Sequence, residues 1–458
     1  MKITRVSGRF AVVLVGASLV AASASVAGVQ AVSAATSSRL AAPSAPHAGA
    51  AYPGSRTRLP APALRLTPAQ VVLSFSGLSG VYCTAAPNCW AVGERTKGNA
   101  DVNEILHWNG NTWRDHSVPN PGGTASNDVN GLFAVRCLTA RSCWAVGEYQ
   151  KGGAGPVLSQ ALRWNGKRWS VVATPQTGGR RKGDATELFD VTCTSSANCW
   201  AVGDYGKFTG TISKPVKLAN EALHWNGRKW SRVRTPNPAG TATRRLNSLF
   251  GVRCLSSANC NAVGDYANGT AADSAIMRNE ALHWNGKRWS HARTPNPGGG
   301  SAGDYSELSA VGCVPSSCWA VGTSGLHSAG TITSSGEALH WNGKKWATVG
   351  VPEPSLDDQL IGVMCVSKGN CWAVGSSGEG PAVDNEALHW NGTKWTLSTT
   401  PNPGGTGDGD INLLDSVRCV SRTNCWAVGF AGAEATGLQN EILHWNGSTW
   451  SVKPAPAA

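Results

Sequence analysis

The sequence predicts an all-β fold: a seven-bladed β-propeller with four antiparallel strands per blade, preceded by a signal peptide and a disordered tether. Three observations predict it. One segment recurs seven times, with the first cysteine of each copy at Cys83, Cys137, Cys193, Cys254, Cys313, Cys365 and Cys419. A fixed period of this length marks a solenoid, propeller or array. Each copy also divides into four short β-rich runs, and no stretch after the N-terminal region carries helical periodicity. Four strands per copy and no helices describe a propeller, whose radial closure protects sheet edges that a flat array would expose.

Strand A is the apolar alternation before the first cysteine, as in Leu188 to Cys193. Strand B is Cys-Trp-Ala-Val-Gly, as in Cys143 to Gly147. Strand C is Glu-Ala-Leu-His-Trp, as in Glu221 to Trp225. Strand D opens at the last tryptophan and runs to Thr-Pro, as in Trp230 to Pro236. Asn-Gly separates C from D in every copy, and it favours a tight hairpin because both residues tolerate positive φ. Blades are expected to start near residues 72, 131, 187, 248, 307, 359 and 413, within a propeller spanning 67–454.

The strand ending in Val-Gly (Val146-Gly147, Val428-Gly429), the aromatic of strand C and the tryptophan opening strand D (Trp169, Trp450) resemble the kelch repeat and its galactose-oxidase-like relatives. The resemblance runs through all seven copies, roughly 72–452. It implies the propeller fold. It does not extend to the paired cysteines, nor to the copper chemistry of galactose oxidase, because every cysteine here has a partner within its own repeat.

Residues 1–34 read as a secretory signal: Lys2, Arg5 and Arg9, an apolar run from Phe10 to Val26, and a small-residue site at Ala31 to Ala34. Residues 35–66, rich in Ala, Pro and Ser, read as a disordered tether. The expected location is therefore secreted or cell-surface, with no transmembrane segment in the mature chain.

Export accounts for the cysteines. All 14 fall in the repeat, two per copy, flanking one hairpin loop. The expected disulfides are Cys83–Cys89, Cys137–Cys143, Cys193–Cys199, Cys254–Cys260, Cys313–Cys318, Cys365–Cys371 and Cys419–Cys425. Zinc would need two pairs close together, and blades hold the pairs apart around a ring. The tryptophans follow the same arithmetic. Three per copy would give 21, the chain has 20, and the missing one is Asn261.

The formal charge of +12 is unevenly spread. The signal holds +3 and the tether +4 (Arg39, Arg56, Arg58, Arg65), which leaves 12 − 3 − 4 = +5 on the propeller. Such a balance does not call for nucleic acid as a partner.

Propeller topology sends the A–B and C–D turns to one face and the B–C and D–A loops to the other. The C–D turns carry a basic ring: Lys167, Arg168, Arg228, Lys229, Lys287, Arg288, Lys344, Lys345 and Lys394. The opposite face holds long variable loops, where binding usually sits. Acids placed where strand B ends, Glu94, Glu148, Asp204 and Asp265, are the candidate ligand-binding residues there. Further acids open strand C, Glu104, Glu221, Glu280, Glu337, Glu386 and Glu441. Asp408 and Asp410 resemble a fragment of a calcium loop, although a plain turn explains them as well. The strand C histidines (His107, His224, His283, His340, His389, His444) sit one per blade, too dispersed to converge on a metal.

No catalytic motif stands out: no Gly-x-Ser-x-Gly, His-Glu-x-x-His or phosphate loop is present. The expected function is a monomeric binding or interaction module without a cofactor. Its expected ligand is a glycan or an envelope or extracellular protein, held on the face of the B–C and D–A loops. The alternative is a glycosidase or lyase using acids near the axis.

Overall fold

The structure is a computed structural model that describes residues 74–207, 217–268, 276–328, 331–379, 381–433 and 435–456. The expected signal (1–34) and tether (35–66) lie outside the described residues. Among the described residues there is no helix, and 28 strands follow one another in consecutive fours. Each copy of the sequence repeat folds as one such four-stranded unit, with antiparallel pairing A–B, B–C and C–D. The A strands are Ser76–Ala85, Val129–Thr139, Asp184–Ser195, Arg245–Ser256, Asp304–Val314, Asp357–Ser367 and Asp410–Ser421.

Strand A touches strand A of the next unit throughout, and the last A strand returns to the first. A single parallel pair, such as Lys217↔Arg245 or Val383↔Ile411, ties strand C of one unit to strand A of the next. These ties merge some units into larger continuous sheets. The Phe75↔Leu438 bridge closes the ring. This closed radial stack of antiparallel sheets is a β-propeller.

All seven expected disulfides are present. In the ladder Cys83 pairs directly with Cys89, and each other copy repeats this cross-strand arrangement. The glycine that ends Val-Gly also has a defined cause. Strand A carries a bulge opposite it, as between Leu132 and Ala134. There the partner backbone comes so close that a Cβ on Gly147 would lie 1.9 Å from the carbonyl oxygen of Gly131.

The core lies between units. Trp90 of the first unit packs against Trp164 (centroids 5.0 Å apart) and Trp169 (5.4 Å) of the second, within a cluster that includes the Cys137–Cys143 bridge. Such aromatic contacts add about 0.5–1.5 kcal/mol each beyond the area they bury. A polar interlock accompanies them. Asn220 Nδ2 donates to Glu280 Oε1 of the next unit at 2.6 Å, and Asn279 Nδ2 to Glu337 Oε1 at 2.6 Å. Asn440 Nδ2 of the last unit donates to Glu104 Oε2 of the first at 2.9 Å, so the interlock also spans the point of ring closure.

The strands are longer than their sequence signatures. Strand B of the first unit runs Asn88–Lys97 and that of the third Asn198–Lys207, well past Val-Gly. Strand C of the third unit begins at Lys217, not at Glu221. The apolar pattern ends where units stop burying both sheet faces. Backbone pairing continues beyond it through Arg95, Thr96 and Lys97.

Candidate functional site: an arginine-lined axial cavity

The residue before the first cysteine of each unit occupies the turn end of strand A, facing the axis. These residues are Tyr82, Arg136, Thr192, Arg253, Gly312, Met364 and Arg418, and together they line an axial cavity of ≈ 120 Å³. The valines one position earlier, among them Val135 and Val252, line the next layer, and Phe133 lies deeper still. Phe133 stacks on Phe189 (centroids 5.8 Å apart), which meets Phe250 (5.4 Å). The deeper lining is mixed, with Phe133 and Ala134 beside Ser79, Asp190 and Ser416, and the arginines gather at the end nearest the A–B turns.

Tyr82 stands between two arginines from the flanking units. The guanidinium carbon of Arg136 lies 4.4 Å from the ring centroid, and that of Arg418 lies 4.1 Å. Arg418 Nη2 donates to Tyr82 Oη at 3.0 Å. Arg253 faces them from across the axis and repels both guanidinium groups. Asp190 is the only carboxylate among the lining residues. Its oxygens accept the backbone N–H of Val191 (2.7 Å) and of Val252 (2.8 Å).

Burial pulls the basicity of Arg136 down to about 9, with repulsion from Arg253 next in weight, and burial lowers Arg253 and Arg418 as well. All three stay cationic at neutral pH, because a guanidinium gives up its proton only far above it. Three cations against one carboxylate leave the cavity at +2. The Nε atoms of Arg136 and Arg418 and Oγ1 of Thr192 are buried without a hydrogen-bond partner.

The arginine end of the cavity lies nearest the A–B turns, which share one face with the C–D turns. A Cβ on Gly166 of a C–D turn would meet Arg141 of the A–B turn at 3.1 Å, and one on Gly227 would meet Ala197 at 3.0 Å. In each C–D turn the asparagine side chain accepts the next backbone N–H groups. Asn165 Oδ1 takes Lys167 N at 2.9 Å and Arg168 N at 3.0 Å. This fixes the turn and leaves the two basic side chains exposed. Arg228, Lys229, Lys287, Arg288, Lys344, Lys345 and Lys394 are exposed in the same way. Arg141, Lys368 and Arg422 of the A–B turns are exposed beside them, and no acid occurs in any of these turns.

The acids proposed from sequence sit elsewhere. Glu94, Glu148, Asp204 and Asp265 are buried, with exposures of 6, 5, 1 and 5 %. They fall in mid-strand, because strand B continues beyond them, and they do not reach the loops of the opposite face. Asp204 accepts a hydrogen bond from Ser248 Oγ of the next unit at 2.7 Å. Burial, followed by the charges of Glu148 and Glu221, pushes the Asp204 carboxyl up to about 7. Asp265 is raised by burial and then by Glu307, which burial itself pushes up to about 7. These carboxyls are part of the packing between units, and none lines the axial cavity.

Asp410 caps its own turn, accepting Gly407 N at 2.9 Å, as Asp184 does for Arg181 N at 2.9 Å. The pair Asp408 and Asp410 is therefore the local form of a repeated D–A turn. No group of three or more His, Cys, Asp or Glu residues suited to a metal occurs among the described residues. The strand C histidines other than His283, which faces Asn261, pack on tryptophan: His107 stacks on Trp90 (4.2 Å), and its Nε2 lies 2.7 Å from Asn88 Oδ1 of the A–B turn.

Sequence reasoning missed Tyr82, Arg136, Arg253 and Arg418. The available signal was the column before the first cysteine, which reads Tyr, Arg, Thr, Arg, Gly, Met, Arg between otherwise uniform positions.

No family model matches the chain, and no curated protein matches it in sequence. The chain is similar in fold to solved structures. One is a polysaccharide lyase, an ulvan lyase, at 9% identity and a TM-score of 0.52, covering 82% of this chain and 93% of that one. An ulvan lyase bound to an oligosaccharide of glucuronic acid and sulfated rhamnose gives 9% identity and a TM-score of 0.51, covering 84% and 94%. The β-propeller domain of the Trilobed protease from Pyrococcus furiosus gives 10% identity and a TM-score of 0.42, covering 83% and 95%. At these identities the likeness is one of fold. No helix of the described residues is long and apolar enough to cross a membrane.

Proposed function

We propose that the chain is an exported, seven-bladed, kelch-like propeller that works as a binding module for an anionic glycan, docked on the face of the A–B and C–D turns. One observation carries this reading: the exposed Lys and Arg residues of those turns share a face with the cationic cavity, and no acid lies in the turns. A one-signed, concave surface concentrates ligands of the opposite charge and speeds their capture. Seven buried disulfides suit an oxidising compartment, where acidic polysaccharides are accessible partners. The reading moves the ligand away from the face of the long loops, because the acids expected to hold it there are buried between units. Their burial removes the residues that the glycosidase or lyase reading named, while the likeness in fold to polysaccharide lyases fits that alternative as well as a binding module.

The test is binding of the secreted protein to polygalacturonate, dextran sulfate and uncharged dextran at two salt concentrations. Retention on the acidic polymers, weakened by salt and by the Lys344→Glu/Lys345→Glu double variant, is expected. Equal binding to uncharged dextran, or none to either acidic polymer, would refute the proposal.

A further inference from the structure

The geometry points to a discrete oxyanion site in the axial cavity. We infer that Arg136, Arg253, Arg418 and Tyr82 hold one carboxylate or sulfate group of a bound acidic saccharide. This inference rests on the anionic-glycan reading above and names the group it recognises.

The argument starts from cost. Three guanidinium groups share a small cavity with one carboxylate, and Arg253 repels both of the others. Asp190 attracts Arg136 and Arg253 but offsets one charge of three, and desolvated like charges left in excess are unfavourable unless a further counter-charge joins them. The buried Nε atoms of Arg136 and Arg418 and the hydroxyl of Thr192 have no hydrogen-bond partner in the protein. Guanidinium forks match the two or three oxygens of a carboxylate or sulfate. Tyr82 adds a further donor: its oxygen accepts from Arg418, so its own proton is free to point elsewhere. The size also fits. A volume of ≈ 120 Å³ holds several waters, since about 10–15 Å³ of this kind admits one, so an oxyanion group can replace them.

The layout separates two kinds of recognition. The exposed turn cations sit on flexible stems in water and read charge density, which salt screens. Arg136 and Arg418 are pinned against Tyr82, with Arg253 facing them, and read one group at a fixed place. The bound polymer is a glycan carrying such groups at intervals, with one of them seated on the axis.

The experiment uses the full secreted protein and its Arg136→Gln and Arg418→Gln variants, with thermal shift and calorimetry at constant ionic strength. The probes are inorganic sulfate, inorganic phosphate, glucuronate and, as neutral control, glucose. The expected result is a rise in midpoint with at least one oxyanion and none with glucose. Each variant should weaken that binding by about tenfold or more, as expected for a lost charge-assisted bond. Without ligand, each variant should melt no lower than the wild type, because it relieves repulsion, and this separates a lost site from a damaged fold. Comparing sulfate, phosphate and glucuronate identifies which oxyanion fits.

An oxyanion response that survives both substitutions, or no response to any oxyanion, overturns the inference. Loss of acidic-polymer binding in the Lys344→Glu/Lys345→Glu variant, with the sulfate or glucuronate response kept, is the pattern expected if both readings hold. Oxyanion binding with no affinity for acidic polysaccharide would sink the glycan reading and leave the cavity site standing. A single-stranded DNA oligomer that displaces dextran sulfate and seats in the cavity with equal affinity would overturn the saccharide assignment.

Discussion

Two neighbouring interfaces of the ring are built from the same repeat and differ in one fastening. Between the sixth and seventh units, Asn385 Nδ2 donates to Glu441 Oε1 at 2.5 Å, and Trp372 packs on Trp445 (4.9 Å) and Trp450 (5.1 Å). Between the fifth and sixth units, Trp319 packs in the same way on Trp390 (4.6 Å) and Trp395 (5.0 Å). Glycine 336 stands there in place of the asparagine, and both carboxyl oxygens of Glu386 are buried without a partner. One unit earlier the exchange is reversed. Asn279 still reaches Glu337 at 2.6 Å, while Asn261 replaces the tryptophan and turns its amide toward Cys318 Sγ at 3.4 Å. The apolar and polar fastenings are thus separable: the sixth–seventh interface keeps both, and the two before it keep one each. That pattern suits a repeat array, whose stability is close to a sum of unit and nearest-neighbour terms.

The largest way to break the comparison is through the tryptophans. Trp319→Ala and Trp372→Ala should each cost about 3–5 kcal/mol by leaving a large cavity. The Trp319 variant should open the fifth–sixth interface preferentially, because no interlock remains there. Hydrogen exchange reads this, and equal protection of the two interfaces in the two variants would show that the polar bond contributes nothing.

The carboxyls give a pH-dependent contrast. Burial raises Glu386 well above the ordinary carboxylate range, and Asp358 and Glu353 raise it further. Burial also raises Glu441, but Asn385 opposes it. A raised folded-state carboxyl contributes stability below its unfolded value, near pH 4, and loses that contribution as pH rises through the folded value. At pH 8, Glu386→Gln should therefore be stabilising by on the order of 1 kcal/mol, while Glu441→Gln is close to neutral. At pH 4, where both carboxyls are protonated, the two variants should converge. The histidines run the other way: burial lowers His340 and His389, so they weaken the fold as pH falls through about 6.5. The comparison must accordingly be made variant against wild type at each pH. Denaturant melts at the two pH values that show parallel offsets would count against it.

The smallest expected effect sharpens the contrast. Gly336→Asn restores the missing donor to Glu386 and removes a glycine from a strand, a gain of about 0.5–1.5 kcal/mol. Its Cβ would lie 3.2 Å from Leu360 Cγ, so Leu360 must give by a few tenths of an ångström. A loss of stability in equilibrium unfolding would mean that this contact outweighs the bond.

Much of the fold was legible because it is local. The close cysteine pairs, five residues between them in six copies and four in the fifth, Asn-Gly and the paired tryptophans fix hairpins within one unit, and the seven disulfides follow from ladder neighbours such as Cys83 and Cys89. Strand ends were less legible. Glu94 and Asp204 looked terminal because the apolar pattern stops before them, while backbone pairing continues to Lys97 and Lys207. The basic turn face was visible as a row of Lys-Arg pairs after Asn-Gly. The axial cavity was not, since one basic residue before a cysteine has no local signature.

The sequence by itself determined the repeat, its four strands, its disulfides and the charge of its turns, because each depends on residues within a few positions of one another. Only the tertiary structure decided what meets at the axis. Arg136, Arg253 and Arg418 belong to the second, fourth and seventh units, and only the ring arrangement brings them with Tyr82 to one axial cavity. Packing of unit on unit likewise turned Glu94, Glu148, Asp204 and Asp265 from apparent surface acids into buried ones, with Glu94 against Gly131 and Asp204 on Ser248 of the next unit's inner strand.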